Sequence, residues 1–104
     1  MAQPDWSDDP VVRGFRDEIS ETDQAILEAV NHRLELVGKL RDYKVERGYP
    51  FLDPGRESLL LDDLARRNPG PLSEGAVREL FAGLLALVKR ELAGAGAGSR
   101  SSGS

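Results

Sequence analysis

Between Val11 and Arg47 apolar residues recur at helical spacing, as Val12, Phe15, Ile19, Ile26, Val30, Leu34, Val37, Leu40 and Tyr43. The stretch holds no Pro and only two glycines, Gly14 and Gly38. This periodicity predicts one long helix. Arg47-Gly48-Tyr49-Pro50 ends it with a glycine stop and a proline just beyond. A second helix begins at Asp53, an N-cap residue, with Pro54 in the first helical position. It carries Leu59, Leu60, Leu61 and Leu64 and ends at Asn68-Pro69-Gly70-Pro71. A third begins with Ser73 as N-cap and Glu74 in the first turn, where the helix dipole favours a carboxylate. Its apolar residues, Val77, Leu80, Phe81, Leu84, Leu85, Leu87, Val88 and Leu92, cover a wide arc. The predicted class is all-α, with one long and two shorter helices. A rod of roughly 37 residues spans about 55 Å, too long for a lone small globule. Together with so thin a core, it predicts packing against a partner chain.

Residues 1–10 hold two Pro, three Asp and little apolar content, and residues 93–104 read AGAGAGSRSSGS. Both ends are expected to be flexible, the tail as a disordered Gly/Ala/Ser segment, with the folding unit at residues 11–92. The chain has 104 residues, 39% hydrophobic and 31% charged, which suits a single folded domain. A net charge of −4 argues against a nucleic-acid binder, which needs a basic face. There is no Cys and a single His, His32, so disulfides, thiol nucleophiles and His-rich metal sites are not expected. No run is apolar for long enough to span a bilayer, and the acidic start lacks the pattern of a signal peptide. The expectation is a cytoplasmic protein without membrane contact.

The informative residues are cations on apolar faces. Heptad columns on the long helix place Arg33 with Val12, Ile19, Ile26 and Leu40, and Lys44 with Val30 and Val37. Eleven residues separate Arg33 from Lys44, an advance of three turns plus about 20°, so the two share a face. Arg16 points about 100° away from Arg33 by the same arithmetic. One helix does not readily aim all three at one small ligand, whereas Arg16 from a neighbouring chain would join them. Each cation can also lay its stem on apolar surface with its head in water. Arg33 fits that reading least and calls for an ion pair, with Asp23 or Glu18, or for an anionic ligand. Arg56 follows the Asp53 cap at a helix N-terminus, where anions are favoured.

In this order and spacing the residues resemble the all-helical (AroQ-type) chorismate mutases over roughly residues 12–92. The resemblance rests on Arg16-Asp17-Glu18-Ile19, Asp23, Ile26-Leu27, Arg33, Leu36-Val37 and Lys44. It is strongest in Tyr49-Pro50, Asp53-Pro54-Gly55-Arg56-Glu57 and Asn68-Pro69-Gly70-Pro71. It implies an intertwined homodimer of three-helix chains with shared active sites. The implied reaction is the Claisen rearrangement of chorismate to prephenate, toward phenylalanine and tyrosine, without cofactor or metal. By the same resemblance, Lys44 is the lysine at the breaking ether oxygen. Arg33 and Arg56 hold substrate carboxylates, Arg16 comes from the partner subunit, and Asp53 and Glu57 stand around the ring hydroxyl.

One departure falls on the third helix. Relatives often carry a small polar residue seven places after the Phe of the Leu-Phe pair, and a Gln or Glu four places later. Counted from Phe81, those substrate-binding positions are Val88 and Leu92, both apolar. A shifted register would bring in Lys89 or Glu91 instead. The departure leaves room for a related enzyme on the same scaffold, an isochorismate pyruvate-lyase or an aminodeoxychorismate mutase. It also leaves room for completion by a complex with another shikimate-pathway enzyme, or for a non-catalytic dimer that regulates one.

Overall fold

The computed structural model describes residues 6–98. Each helix starts and stops on a local signal. Asp9 caps α1 (Pro10–Arg47): its carboxylate accepts the Val11 amide at 2.8 Å and its carbonyl the Arg13 amide at 2.9 Å. Pro10 then takes the first helical position. At the other end Gly48 adopts a φ of +72°, a conformation that carries no steric penalty in glycine. The Tyr49 amide bonds back to the Lys44 carbonyl at 2.8 Å and the Gly48 amide to Val45 at 3.2 Å, closing a Schellman turn. Asp53 caps α2 (Pro54–Arg67) through the Arg56 amide at 3.1 Å. Ser73 caps α3 (Glu74–Gly98) through the Ala76 amide at 3.1 Å. Between them Asn68 braces the turn, donating to the Leu72 carbonyl and accepting from the Gly70 amide, and the Gly70–Pro71 peptide is cis.

Two expectations shift at the chain ends. Residues 93–98, expected as flexible tail, continue α3 as far as Gly98. Alanine, the best helix former, alternates with glycine there and offsets part of glycine's cost. Near the N-terminus, Trp6–Asp8 form a single 3-10 turn ahead of α1. Residues 1–5 and 99–104 of the two expected flexible ends lie outside the described residues.

The chain divides into two compact units, one running through Glu35 and one from Leu36 onward. The first consists of the 3-10 turn and the larger part of α1. The second holds the last turns of α1, with α2 and α3 packed on each other. Arg78 clasps that packing, reaching Asp62 on α2 at 2.8 Å and Glu74 on its own helix at 3.2 Å. Asp62, and behind it Glu74, holds the Arg78 guanidinium above its ordinary range. The buried apolar residues of this unit are Val77, Val88 and Leu92, at 4%, 4% and 7% exposure. Leu92 lies against Gly38, where an added Cβ would meet its Cδ2 at 3.5 Å. The Arg41 guanidinium donates to the Leu92 carbonyl at 3.0 Å.

Burial is uneven along helix α1. Val30, Arg33, Leu34, Val37, Gly38, Arg41 and Lys44 form a half-buried stripe at three- and four-residue spacing. Phe15, Ile19, Ile26, Leu36, Leu40 and Tyr43 stay open to solvent. Arg33 therefore differs in burial from its heptad mates Ile19, Ile26 and Leu40. Among the described residues no helix is long and apolar enough to cross a membrane.

Candidate active site

The Schellman turn that ends α1 positions Lys44. Its carbonyl accepts the Tyr49 amide, and the chain then reverses past Pro50 so that Phe51 comes back over the helix end. The Lys44 ammonium donates to the Phe51 carbonyl at 3.4 Å and stands 5.9 Å from the centre of the Phe51 ring. Both contacts are weak ones at this distance. The ammonium is thus aimed but remains available to a stronger partner.

Two residues beyond Phe51, the Asp53 cap fixes the first turn of α2. The Asp53 carboxylate accepts the Arg56 amide and its carbonyl the Glu57 amide at 3.2 Å. The Arg56 side chain is exposed at this helix N-terminus. Glu57 is half-buried and points across to α3, where both of its oxygens meet the Lys89 ammonium, at 2.9 and 3.0 Å. This pair and Arg90 rim a cavity of about 380 Å³ with an apolar wall of Leu61, Ala82 and Leu85. A larger cavity of about 550 Å³ lies along Leu80, Gly83, Leu84 and Leu87 of α3, with Glu79 its one charged lining residue. With no cation on its wall it is poorly suited to an anion.

The second unit thus brings Lys44, Asp53, Arg56 and Glu57 to the junction of the α1–α2 turn with α2. Val88 and Leu92 belong to the same unit, but they are core residues by burial, and neither lines the cavity beside Lys89. Arg16 and Arg33 lie in the first unit. The Arg16 guanidinium stacks over the Trp6 ring, 5.1 Å from its centre. One guanidinium nitrogen of Arg33, Nη1, is shut off from solvent with no hydrogen-bond partner. The ion pair with Asp23 or Glu18 does not form.

Partial burial without a carboxylate partner separates Arg33 and Lys44 from the other cations. Among the described residues five basic side chains are half-buried. Arg41, Arg78 and Lys89 meet carboxylates there. Arg33 and Lys44 meet none. Withdrawing a cation from water without a counter-charge costs free energy that an arriving anion restores. Spacing marks Arg33 and Lys44, but it gives no sign of the Glu57–Lys89 pair, the Arg41 bond or the Trp6 and Phe51 rings. Those contacts join positions that no short motif links.

Comparison with known proteins places the whole helical region in one family. The family model described as chorismate mutase type II matches residues 15–91. Two solved forms of chorismate mutase from Thermus thermophilus superpose on the chain. Form I does so with a TM-score of 0.72 at 30% identity, covering 74% of this chain and 96% of that one. Form II gives 0.74 at 28% identity, covering 78% and 92%. A stretch of 52 residues is 37% identical to the 4-amino-4-deoxychorismate mutase of Streptomyces venezuelae, and it spans 50% of this chain and 50% of that protein. Because the family match runs from Phe15 through all three helices to Glu91 and takes in every cation described above, the chain belongs to the chorismate mutase type II family.

Proposed function

We propose that the protein is a chorismate mutase that converts chorismate to prephenate. The observation that carries the reading is Arg33 Nη1, a nitrogen shut off from solvent without a hydrogen-bond partner on a half-buried cation. The rearrangement is unimolecular. Catalysis therefore consists of holding the compact conformer of a dicarboxylate and stabilising the charge that gathers on the ether oxygen. Arg33 and Arg56 take the carboxylates. Lys44, aimed but only weakly bonded, meets the ether oxygen. Arg16 reaches the site from a second copy of the chain. The exposed face of α1, from Phe15 to Tyr43, supplies an apolar seam for that copy.

A second reading is rearrangement of 4-amino-4-deoxychorismate, which carries an amine in place of the ring hydroxyl. The Streptomyces venezuelae relative favours it. The retained Asp53 and Glu57 around the ring substituent, with Glu57 already neutralised by Lys89, favour the hydroxyl substrate. The test is to incubate the purified chain with each compound in turn and identify the product by NMR. Prephenate from chorismate, formed faster than any product of the amino compound, supports the first reading. Turnover of the amino compound alone assigns the second.

A further inference from the structure

The geometry points to Lys89 as the residue that selects the substrate's ring substituent, admitting a neutral hydroxyl and rejecting a charged amine. This inference rests on the proposed rearrangement of a chorismate-type dicarboxylate. With the substrate's carboxylates taken by arginines, its remaining polar ring group is a hydrogen-bond donor and needs an acceptor. Two carboxylates stand near the start of α2. Asp53 is engaged as the helix cap through the Arg56 amide. Glu57 is the one directed away from the helix, into the rim of the cavity beside Leu61 and Leu85. Its two oxygens already share the Lys89 ammonium at 2.9 and 3.0 Å, across 32 residues of chain.

That contact, with the exposed Arg90 on the same cavity, sets the charge a bound substrate meets. A carboxylate alone attracts an ammonium more strongly than a hydroxyl. A carboxylate paired with an ammonium is close to neutral overall but still has lone pairs free to accept from a hydroxyl. An amine, protonated at neutral pH, would enter within a few ångströms of Lys89 Nζ and be repelled by it. The pair is partly sheltered, with Lys89 at 42% and Glu57 at 31% exposure, so screening weakens the repulsion without removing it. Position 89 follows directly on Val88, which faces the core. The side chain next to a core position on a helix turns about 100° away from it, which carries Lys89 toward α2.

The experiment measures kcat/KM for chorismate and for 4-amino-4-deoxychorismate with the wild-type chain, Lys89→Met and Lys89→Arg. The wild type is expected to favour chorismate. Lys89→Met should move the ratio toward the amino compound by at least about 10-fold, the scale of a single charge in a partly screened site. Lys89→Arg, which keeps the charge, should leave the ratio within about 3-fold of wild type. An active Lys89→Met with an unchanged ratio overturns the proposal. Loss of both activities in folded Lys89→Met also overturns it, since Lys89 would then serve turnover itself. If Lys89→Met does not fold, Lys89→Gln replaces it under the same criteria. A wild type that turns over neither compound refutes the proposed reaction, and this proposal with it. An active wild type with an unmoved ratio refutes only the role of Lys89.

Discussion

The Lys44 ammonium touches one carbonyl at 3.4 Å and one ring, so little of the fold depends on its charge. Lys44→Ala should therefore lower kcat/KM by at least about 10²-fold, near 2.7 kcal/mol, while thermal melting stays within a few degrees of wild type. Near wild-type turnover in that variant would remove Lys44 from the site. Leu92 behaves in the opposite way. At 7% exposure, packed against Gly38, it has no open space to offer a polar group. Leu92→Gln should cost about 1–3 kcal/mol by burying an amide among apolar atoms. In a domain this small that corresponds to a fall in Tm of roughly 4–24 °C. A melting curve that matches wild type would show that position 92 opens onto a polar pocket after all.

At the scale of elements, the turn between α1 and α2 links folding to the site. Gly48 holds a φ of +72° with open space around it, so a side chain there meets backbone strain and no clash. Gly48→Ala should cost about 1–2 kcal/mol. Because the turn also carries Phe51 over Lys44, turnover should fall by more than the loss of folded protein explains. Calorimetry and single-turnover kinetics on the same sample separate the two effects. Unchanged stability would mean that the Schellman turn rearranges without penalty.

On the scale of the whole molecule, a chain with three buried apolar side chains among its described residues and a row of exposed ones along α1 is a weak candidate for a stable monomer. Light scattering at micromolar concentration should give about twice the chain mass of 11.4 kDa. A folded monomer there would remove the shared site. Arg16→Ala and Arg33→Ala homodimers should each be nearly inactive. In a mixed dimer with crossed sites, one site carries both lesions and the other none. Co-refolding the two variants should therefore recover activity, up to one intact site per heterodimer. If heterodimers form and no activity returns, both arginines serve a site from the same chain.

Sequence alone determined what is local. The Asp53-Pro54 start, the Ser73 cap and the Gly48 stop each place all their atoms within a few residues, so the motif contains its own hydrogen bonds. The same logic was present in Asp9-Pro10, although composition there suggests a loose end. The order and spacing of Arg16, Arg33, Lys44, Tyr49-Pro50, Asp53-Pro54-Gly55-Arg56-Glu57 and Asn68-Pro69-Gly70-Pro71 indicated the family. Tertiary structure alone decided which apolar-face positions of α1 are half-buried, because Arg33 and Lys44 share a direction with the exposed Ile19 and Ile26 and periodicity does not rank them. It alone showed Val88 and Leu92 as core, since an apolar residue on a wide apolar arc reads the same toward a neighbour or toward a pocket. It alone joined Glu57 to Lys89 and Arg41 to the Leu92 carbonyl, across 32 and 51 residues. Pairings of that range depend on how helices cross, and crossing is set by packing whole faces together, which no local pattern records.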